Sequence, residues 1–488
     1  MDHVDVLVVG AGLSGIGAAC HLRRECPEKT FTILEGRDAI GGTWDLFRYP
    51  GIRSDSDMFT LGYVFKPWTD AKSIAGGPAI REYVREAARE YDVDSQIRFQ
   101  HKVIRADWSS DTAQWTVTAR RTDTGETVQL SCSFLLGCTG YFRYDEGYLP
   151  AFEGMADYRG TLVHPQFWPE ELEYDGKRVT VIGSGATAVT LVPAVAERAA
   201  HVTMVQRSPT YMAALPSSDR IADALRRRLR PDRAYRVIRW KNVLMGIATY
   251  QFSRRRPEQM KRFLRRNVAA QLPADFDLDT HFTPSYNPWD QRMCLVPDAD
   301  LFRAIRKGRA SIVTGEIERF TERGLRLRDG RTLESDIIVT ATGLNLVALG
   351  GIALAVDGEP VNLPDTVAYK GTMLSGVPNL AIALGYTNAS WTLRCDLAAA
   401  YVCRLLRYMD AHGYDSVRPK APEGGERSPL IGLQAGYVLR SAAQLPTQGP
   451  AAPWRVYQNY IKDRRVMRRR PVDDEGVEFG RARVGSHA

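Results

Sequence analysis

Two glycine-rich loops, each passing from a β-branched strand into a helix, constrain this chain more than any other feature. The first is Gly10-Ala11-Gly12-Leu13-Ser14-Gly15, and the second is Gly183-Ser184-Gly185-Ala186-Thr187-Ala188. Around the first, Val4–Val9 reads as a buried strand, 14–25 as a helix and Phe31–Leu34 as a second strand that ends at Glu35. That strand–loop–helix–strand setting turns a weak glycine pattern into a dinucleotide fingerprint. Each glycine has its own task. Gly10 permits the tight turn, Gly12 lets a pyrophosphate approach the backbone, and Gly15 lets helix and strand pack closely. The helix N-terminus offers unpaired N–H groups and a positive dipole end to the phosphates. Glu35 stands where a carboxylate would accept from a ribose hydroxyl.

The second unit repeats the plan, with a strand over 178–182, a helix over 186–198 and a strand over 202–205 ending at Gln206-Arg207. No acid stands at the matching place. A carboxylate there would repel a 2′-phosphate, whereas an arginine would pair with it. The first loop is therefore assigned to FAD and the second to NADPH. Each copy also closes alike: 134–138 is followed by Thr139-Gly140, and 336–340 by Ala341-Thr342-Gly343. An internal duplication accounts for both.

The expected fold is α/β, with two Rossmann-like dinucleotide-binding domains, a small antiparallel β insert and a helical insertion. Three alternating strands over 104–108, 115–119 and 127–131 form the β insert within 102–133, read as a meander apart from the core strand 134–138. The FAD domain is assigned to 1–148 and 341–488, and the NADP domain to 149–214 and 285–340. The helical insertion occupies 215–284. Its arginines, densest at Arg226-Arg227-Arg228 and Arg254-Arg255-Arg256, read as solvated faces of an inserted lid, with contact to a membrane surface as the sharper alternative. A helix over 393–412 follows, which Ser390 would cap. Asn388 lies just ahead of that helix, whose N-terminus would face the flavin N1–C2=O edge. The last ten or so residues are expected to be mobile.

Composition removes other classes. The 65 basic and 57 acidic residues are largely interleaved, so a net charge of +8 is a mild attraction to anions and not a nucleic-acid signature. No stretch approaches the roughly 20 apolar residues of a spanning helix, and the N-terminus lacks a basic leader, which points to a cytoplasmic protein. Seven cysteines contain no Cys-x-x-Cys pair. That counts against a disulfide reductase, which shares the two-nucleotide layout, and no metal site is expected.

Three further segments carry a resemblance. Tyr158-x-Gly160-x-x-x-His164-x-x-x-Trp168-Pro169 resembles the fingerprint of the Baeyer–Villiger monooxygenases, the class B flavoprotein oxygenases. Gly41-Gly42-Thr43-Trp44-Asp45 through Asp55 resembles that family's second signature, and Ala341-Thr342-Gly343 its closing motif. Within the family, 47–57 and Asn287-Pro288-Trp289-Asp290-Gln291-Arg292 are most similar to the ethionamide-activating members. The related N- and S-oxygenating enzymes have a shorter fingerprint lacking the Trp-Pro end. Two departures stand out: Tyr158 replaces the usual phenylalanine, and Gln291 replaces a lysine that many members use on the 2′-phosphate. NADPH preference then rests mainly on Arg207.

The resemblance implies that reduced flavin adds O₂ at C4a, and that the peroxide attacks a ketone carbonyl and inserts one oxygen to give an ester or lactone. Sulfides or thioamides would be second substrates. It assigns Arg292 as the active-site cation and Asp55 as the carboxylate that orients it, with Asp57 in reserve. Gly42 and Trp44 would pass the flavin ring. Gly160, His164 and Trp168 would act as hinge residues on a linker ahead of the second domain's first strand. The inserted helices and the nicotinamide would cover the flavin against water. Competing readings are a heteroatom monooxygenase without ketone activity, a pyridine-nucleotide reductase and a non-enzymatic redox sensor.

Overall fold

The β-branched runs form the centres of two sheets. In the computed structural model, which describes residues 1–422 and 424–482, the first sheet has nine strands. Its middle is parallel. Asp2–Val9 lies between Phe31–Leu34 and the C-terminal half of Thr127–Gly137, and Leu380–Ile382 returns from late in the chain to pair with the same strand. The second sheet has five parallel strands in the order Ala310–Thr314, His201–Gln206, Arg178–Ile182, Ile337–Thr340 and Thr161–Val163. Strands buried on both faces need apolar residues on both: Val179, Val181, Val202, Met204, Ile337 and Val339 pack on one face, and Ile182, Val205 and Ile338 on the other.

Two expectations about strands need correction. The meander and the core strand 134–138 are not separate. Thr127–Gly137 is one strand of 11 residues, antiparallel to Gln114–Arg121 at its start and parallel to Asp2–Val9 at its end. The alternating burial over its first seven residues, with Ser131 and Ser133 on the wetter face, gives way to a fully buried run over its last four. Likewise, Thr161–Val163 is no linker ahead of the second sheet. It is that sheet's edge strand, too short for its period to be read from sequence.

The insertion leaves the second unit after the strand Met212–Leu215 and returns at Cys294–Pro297, which pairs with it in parallel. Because the pairing is parallel, the chain leaves at one end of this ribbon and re-enters at the other, and the intervening helices make the crossover outside both large sheets. These are Arg220–Arg228, Pro231–Arg255 and Pro257–Ala269. The long helix does not stand free as a lid. It is bolted to the first unit by Arg239, which is buried and donates to the Phe59 and Gly62 carbonyls and to Asp396. Tyr235 donates to the Tyr63 carbonyl.

The C-terminal segment is also fixed. Val477–Gly480 pairs antiparallel with Ser416–Pro419, so Phe479 and Gly480, within the stretch expected to be mobile, are held. The remaining tail, 483–488, lies outside the described residues. All seven cysteines are buried and free. Among the described residues no helix is long and apolar enough to cross a membrane.

Candidate active site

The two glycine loops have nearly the same backbone. Gly12 and Gly185 are the N-cap residues of Leu13–Glu25 and Ala186–Val195, with φ/ψ of −77°/−174° and −78°/−177°. Gly10 and Gly183 both have positive φ, and a Cβ on either would strike the backbone of the closing strand-Thr-Gly motif: Cys138 O at 2.7 Å and Ala341 O at 2.3 Å. A Cβ on Gly15 would sit 1.8 Å from Gly10 O, which fixes its role as a packing glycine. Ala188 takes the matching place in the second unit with its methyl fully buried, so that helix stands off its loop enough to admit it.

Gly12 and Gly185 behave differently. A Cβ on Gly12 would meet nothing closer than Gly42 Cα at 3.5 Å, and one on Gly185 would meet nothing within 4 Å. Their φ values suit any residue. Nothing among the described residues demands glycine at either place, so the demand comes from a group approaching from outside. That is the fit expected for a pyrophosphate at each loop.

Glu35 is buried at the end of Phe31–Leu34 and accepts from the Ala11 N–H at 2.7 Å and the Arg37 N–H at 2.9 Å. Burial pushes its carboxyl above the usual range despite these bonds. Arg207 is exposed at the matching strand end, without a hydrogen bond or ion pair among the described residues. Gln206, one residue earlier, turns inward to the His281 carbonyl and Thr314.

A cavity of about 1180 Å³ opens between the first loop and the start of the second unit's helix. Gly10, Gly12, Glu35, Gly42, Trp44, Asp55 and Arg292 all line it, together with Ala186 and Thr190 of the second helix. Residues 41–55 cross between the two units. Gly51, at φ +78°, passes so close to Ala186–Val195 that a Cβ would lie 2.7 Å from the Ala194 methyl, and Phe47 and Tyr49 join the second core. No lining residue comes from 216–291. The inserted helices therefore do not cover this cavity; they back its wall, with Val243 packed on Tyr386.

Arg292 Nη2 lies 2.7 Å from Asp55 Oδ2, and each side chain is about a third exposed, toward the cavity. Asp55 is the main cause that holds the guanidinium even further above its already high range, so it stays charged at any working pH. The phenols of Tyr141 and Tyr437 face the same guanidinium, and burial holds both protons on. The Arg292 loop is fixed from outside. Arg254 of the long inserted helix pairs with Asp290 at 2.5 Å, and Asp290 O accepts from the Gln434 N–H at 2.9 Å. Asp57 does something else. It is the N-cap of Met58–Leu61, accepting from the Thr60 N–H and hydroxyl and from Asn242.

The remaining predicted residues lie off the cavity. His164 follows the edge strand Thr161–Val163. Its ring rests on Gly147, where a Cβ would be 2.1 Å away, and faces the backbone at Tyr148 and Gly343. The two connections between the sheets run there as an antiparallel ribbon, 142–147 with 344–346, and Thr342 donates to the Tyr148 carbonyl at 2.6 Å. Burial lowers the His164 ring below its ordinary range, and its Nε2 is buried without a hydrogen-bond partner among the described residues. Gly160 is needed where a Cβ would meet the Tyr158 hydroxyl at 2.3 Å. Trp168 packs edge-on against Tyr174, away from the cavity. Asn388 donates to the Gln458 carbonyl while its Oδ1 is buried with no hydrogen-bond partner among the described residues. Ser390 holds the N-cap position of Trp391–His412 but makes no cap bond; its hydroxyl bonds Thr60 at 2.6 Å instead.

Sequence reasoning missed Tyr141, Tyr437, Arg254 and a cluster on Asp45. That carboxylate is 1% exposed and is held by Arg37 at 2.7 Å, Arg81 at 3.1 Å and Arg48 at 3.6 Å. Its place in Gly41-Gly42-Thr43-Trp44-Asp45 was the available signal.

Two dinucleotide loops opening toward one cavity, with a charged arginine on its wall, define a two-cofactor redox protein. The comparisons narrow this. A model of the flavin-binding monooxygenase-like family matches residues 74–347, and an NAD(P)-binding Rossmann-like model matches 8–66. The FAD-containing monooxygenase EthA of Mycobacterium tuberculosis is 54% identical over 98% of both chains. The probable FAD-binding monooxygenase AlmA of Acinetobacter baylyi is 47% identical over 98% of this chain and 96% of its own. Among solved structures, an oxidized steroid monooxygenase bound to NADP aligns with TM-score 0.70 and 25% identity over 86% of this chain and 88% of that one. The chain belongs to the flavin-binding monooxygenase-like family, among the FAD-containing monooxygenases.

Proposed function

We propose that the protein is an NADPH-dependent Baeyer–Villiger monooxygenase that converts ketones to esters or lactones, with sulfides or thioamides as second substrates. FAD is held along the first loop by Gly10, Gly12, Glu35, Gly42 and Trp44, and NADPH at Gly183, Gly185 and Arg207. The observation that carries the reading is the Arg292–Asp55 pair on the wall of the cavity that both units reach. Bound FAD, reduced by NADPH, supplies activated dioxygen.

The chain's own residues do the rest. Attack on a carbonyl puts negative charge on its oxygen, and a preorganised cation stabilises that charge most where water is excluded. Arg292 is such a cation, and Asp55 fixes its direction at little cost because the pair is already formed. Trp44, Tyr49, Tyr141 and Trp391 make an aromatic wall that keeps water off the reacting atoms. His164 sets the angle between the two units through the ribbon at Tyr148 and Gly343, and Gly160 and Trp168 fix the segment on either side of it. A heteroatom monooxygenase would have less need of a fixed cation, which is why the ketone reading is preferred.

Arg292→Ala tests it. The variant should bind FAD and still bleach with NADPH under anaerobic conditions. Conversion of a cyclic ketone under labelled dioxygen, read as label in the lactone, should fall about 10²–10³-fold. Full ketone turnover by the variant would overturn the assignment.

A further inference from the structure

We propose that the helical insertion and the C-terminal basic turn form one docking face for an anionic lipid bilayer. The charge distribution is the first support. Residues 219–272 hold sixteen Lys or Arg and four Asp or Glu, a net +12, whereas the whole chain is +8, so the remainder is net acidic. Two of the four acids are occupied by lysines within the insertion, Asp219 by Lys241 and Glu258 by Lys261. Arg227, Arg228, Arg233, Arg236, Arg255, Arg256 and others are exposed without ion pairs among the described residues.

The second support is apolar. On the helix Pro231–Arg255, Val237, Trp240, Leu244, Met245 and Phe252 are 38–57% exposed. Residues 237, 240 and 244 follow helical spacing on one stripe. Arg233 continues that stripe at one end and Arg255 at the other. Ile221 and Phe263 on the flanking helices are exposed by 59% and 56%. The opposite face, with Tyr235, Ile238 and Arg239, is buried on the first unit. An acidic protein or a nucleic acid would suit the cations but not the exposed Leu244, Met245 and Phe263. An interface of headgroups over acyl chains suits both.

The third support comes from elsewhere in the chain. Trp240 meets Tyr460 edge-on at 5.7 Å, and Arg464 lies over the same indole at 5.6 Å. That contact brings Ile461, 45% exposed, and the exposed Arg465, Arg468 and Arg469 onto the patch. At the elbow before Pro257–Ala269, an open groove of about 640 Å³ is lined by Ala248, Gln251, Phe252, Arg255, Arg256 and Gln259, a setting for a phosphate headgroup beside an acyl chain. The buried side of the helix backs Tyr386 on the cavity wall. A docked bilayer would thus stand about one helix diameter, ~10 Å, from that wall.

The test is vesicle flotation of the FAD-bound full chain, with phosphatidylcholine alone and with added phosphatidylglycerol, at low and high salt. The protein should float only with the anionic vesicles, and high salt should weaken this. Arg233→Gln with Arg255→Gln and Arg256→Gln should weaken binding about a hundredfold, at roughly five-fold per arginine. Leu244→Ser with Met245→Ser should also release the protein, with its melting temperature and turnover of a water-soluble substrate kept. Failure of the wild type to float, equal binding to neutral vesicles, or unchanged binding by both variants would overturn the proposal. So would a dimer in sedimentation velocity that the Leu244/Met245 variant splits, because the face would then belong to a second copy. Inorganic phosphate that displaces the protein no better than chloride at equal ionic strength supports a bilayer; specific displacement by phosphate would reduce the site to a free-anion pocket and overturn it.

Discussion

Gly12→Ala should separate folding from cofactor binding, because the fold has no use for glycine at that position. Its φ/ψ of −77°/−174° is open to alanine, and the new methyl would meet only Gly42 Cα at 3.5 Å. Two small effects act on the apoprotein. Alanine reduces unfolded-chain entropy, which stabilises by about 0.4–1 kcal/mol, and it is a poorer N-cap than glycine by about 0.5–1 kcal/mol. They nearly cancel, so apoprotein stability should move by less than about 1 kcal/mol. The holoprotein is different. The methyl points to where a pyrophosphate must approach the helix N-terminus, and overpacking of this kind costs about 1–3 kcal/mol, or about five- to a hundredfold in affinity.

Gly15→Ala is the contrast. Its methyl would lie 1.8 Å from Gly10 O, between backbone and helix, where neither can give. That variant should lose the fold itself. The assays are urea unfolding of the flavin-free protein and FAD titration followed by quenching of flavin fluorescence. If Gly12→Ala bound FAD as tightly as the wild type, or if its apoprotein lost more than about 2 kcal/mol, the reasoning would fail.

Three further outcomes follow from the same geometry. Asp55→Ala should cut ketone oxygenation while leaving thermal stability near the wild type, whereas Asp57→Ala, which removes an N-cap and strands Asn242, should cost about 2 kcal/mol by thermal unfolding and spare catalysis in what still folds. Arg207→Ala should raise the KM for NADPH about ten- to a hundredfold and leave that for NADH unchanged, since only the former presents a 2′-phosphate to a charged hydrogen bond; equal loss with both would remove the assignment. For Asp45, burial alone would raise the carboxyl, but Arg37, Arg48 and Arg81 outweigh it and hold the group below its ordinary 3.8. A depressed folded value means that the stability is present above about pH 4 and is lost as pH falls below it. Asp45→Asn should be less stable at pH 7 by about 1–3 kcal/mol, because the partly exposed arginines stay solvated when the charge is removed, with a flatter fall in acid; a mutant with the wild-type acid profile would show that this carboxylate is not the cause.

What could be read beforehand divides along a physical line. The glycine loops and the two buried parallel cores follow from local pattern, because loop, strand and helix N-terminus must be adjacent in sequence to work, whereas the Arg292–Asp55 pair joins distant segments and was expected only from the family resemblance. Strand Thr127–Gly137 was split, since its neighbours change halfway along and its polarity changes with them. The short Thr161–Val163 carries no period at all, so its membership of a sheet is decided only by Ile337–Thr340 beside it. The contacts around Arg292 could not be read for a related reason. Tyr141 and Tyr437 are nearly three hundred residues apart, and Arg254 reaches Asp290 only because the insertion folds back along the first unit. The arginine-rich insertion shows the same lesson in reverse. Its charge suggested solvated faces throughout, yet Arg239 is buried in full hydrogen-bonding partnership with Asp396 and two carbonyls, while Trp240, its neighbour, is exposed. One residue of helical rotation separates the side that holds the protein together from the side that remains for something else.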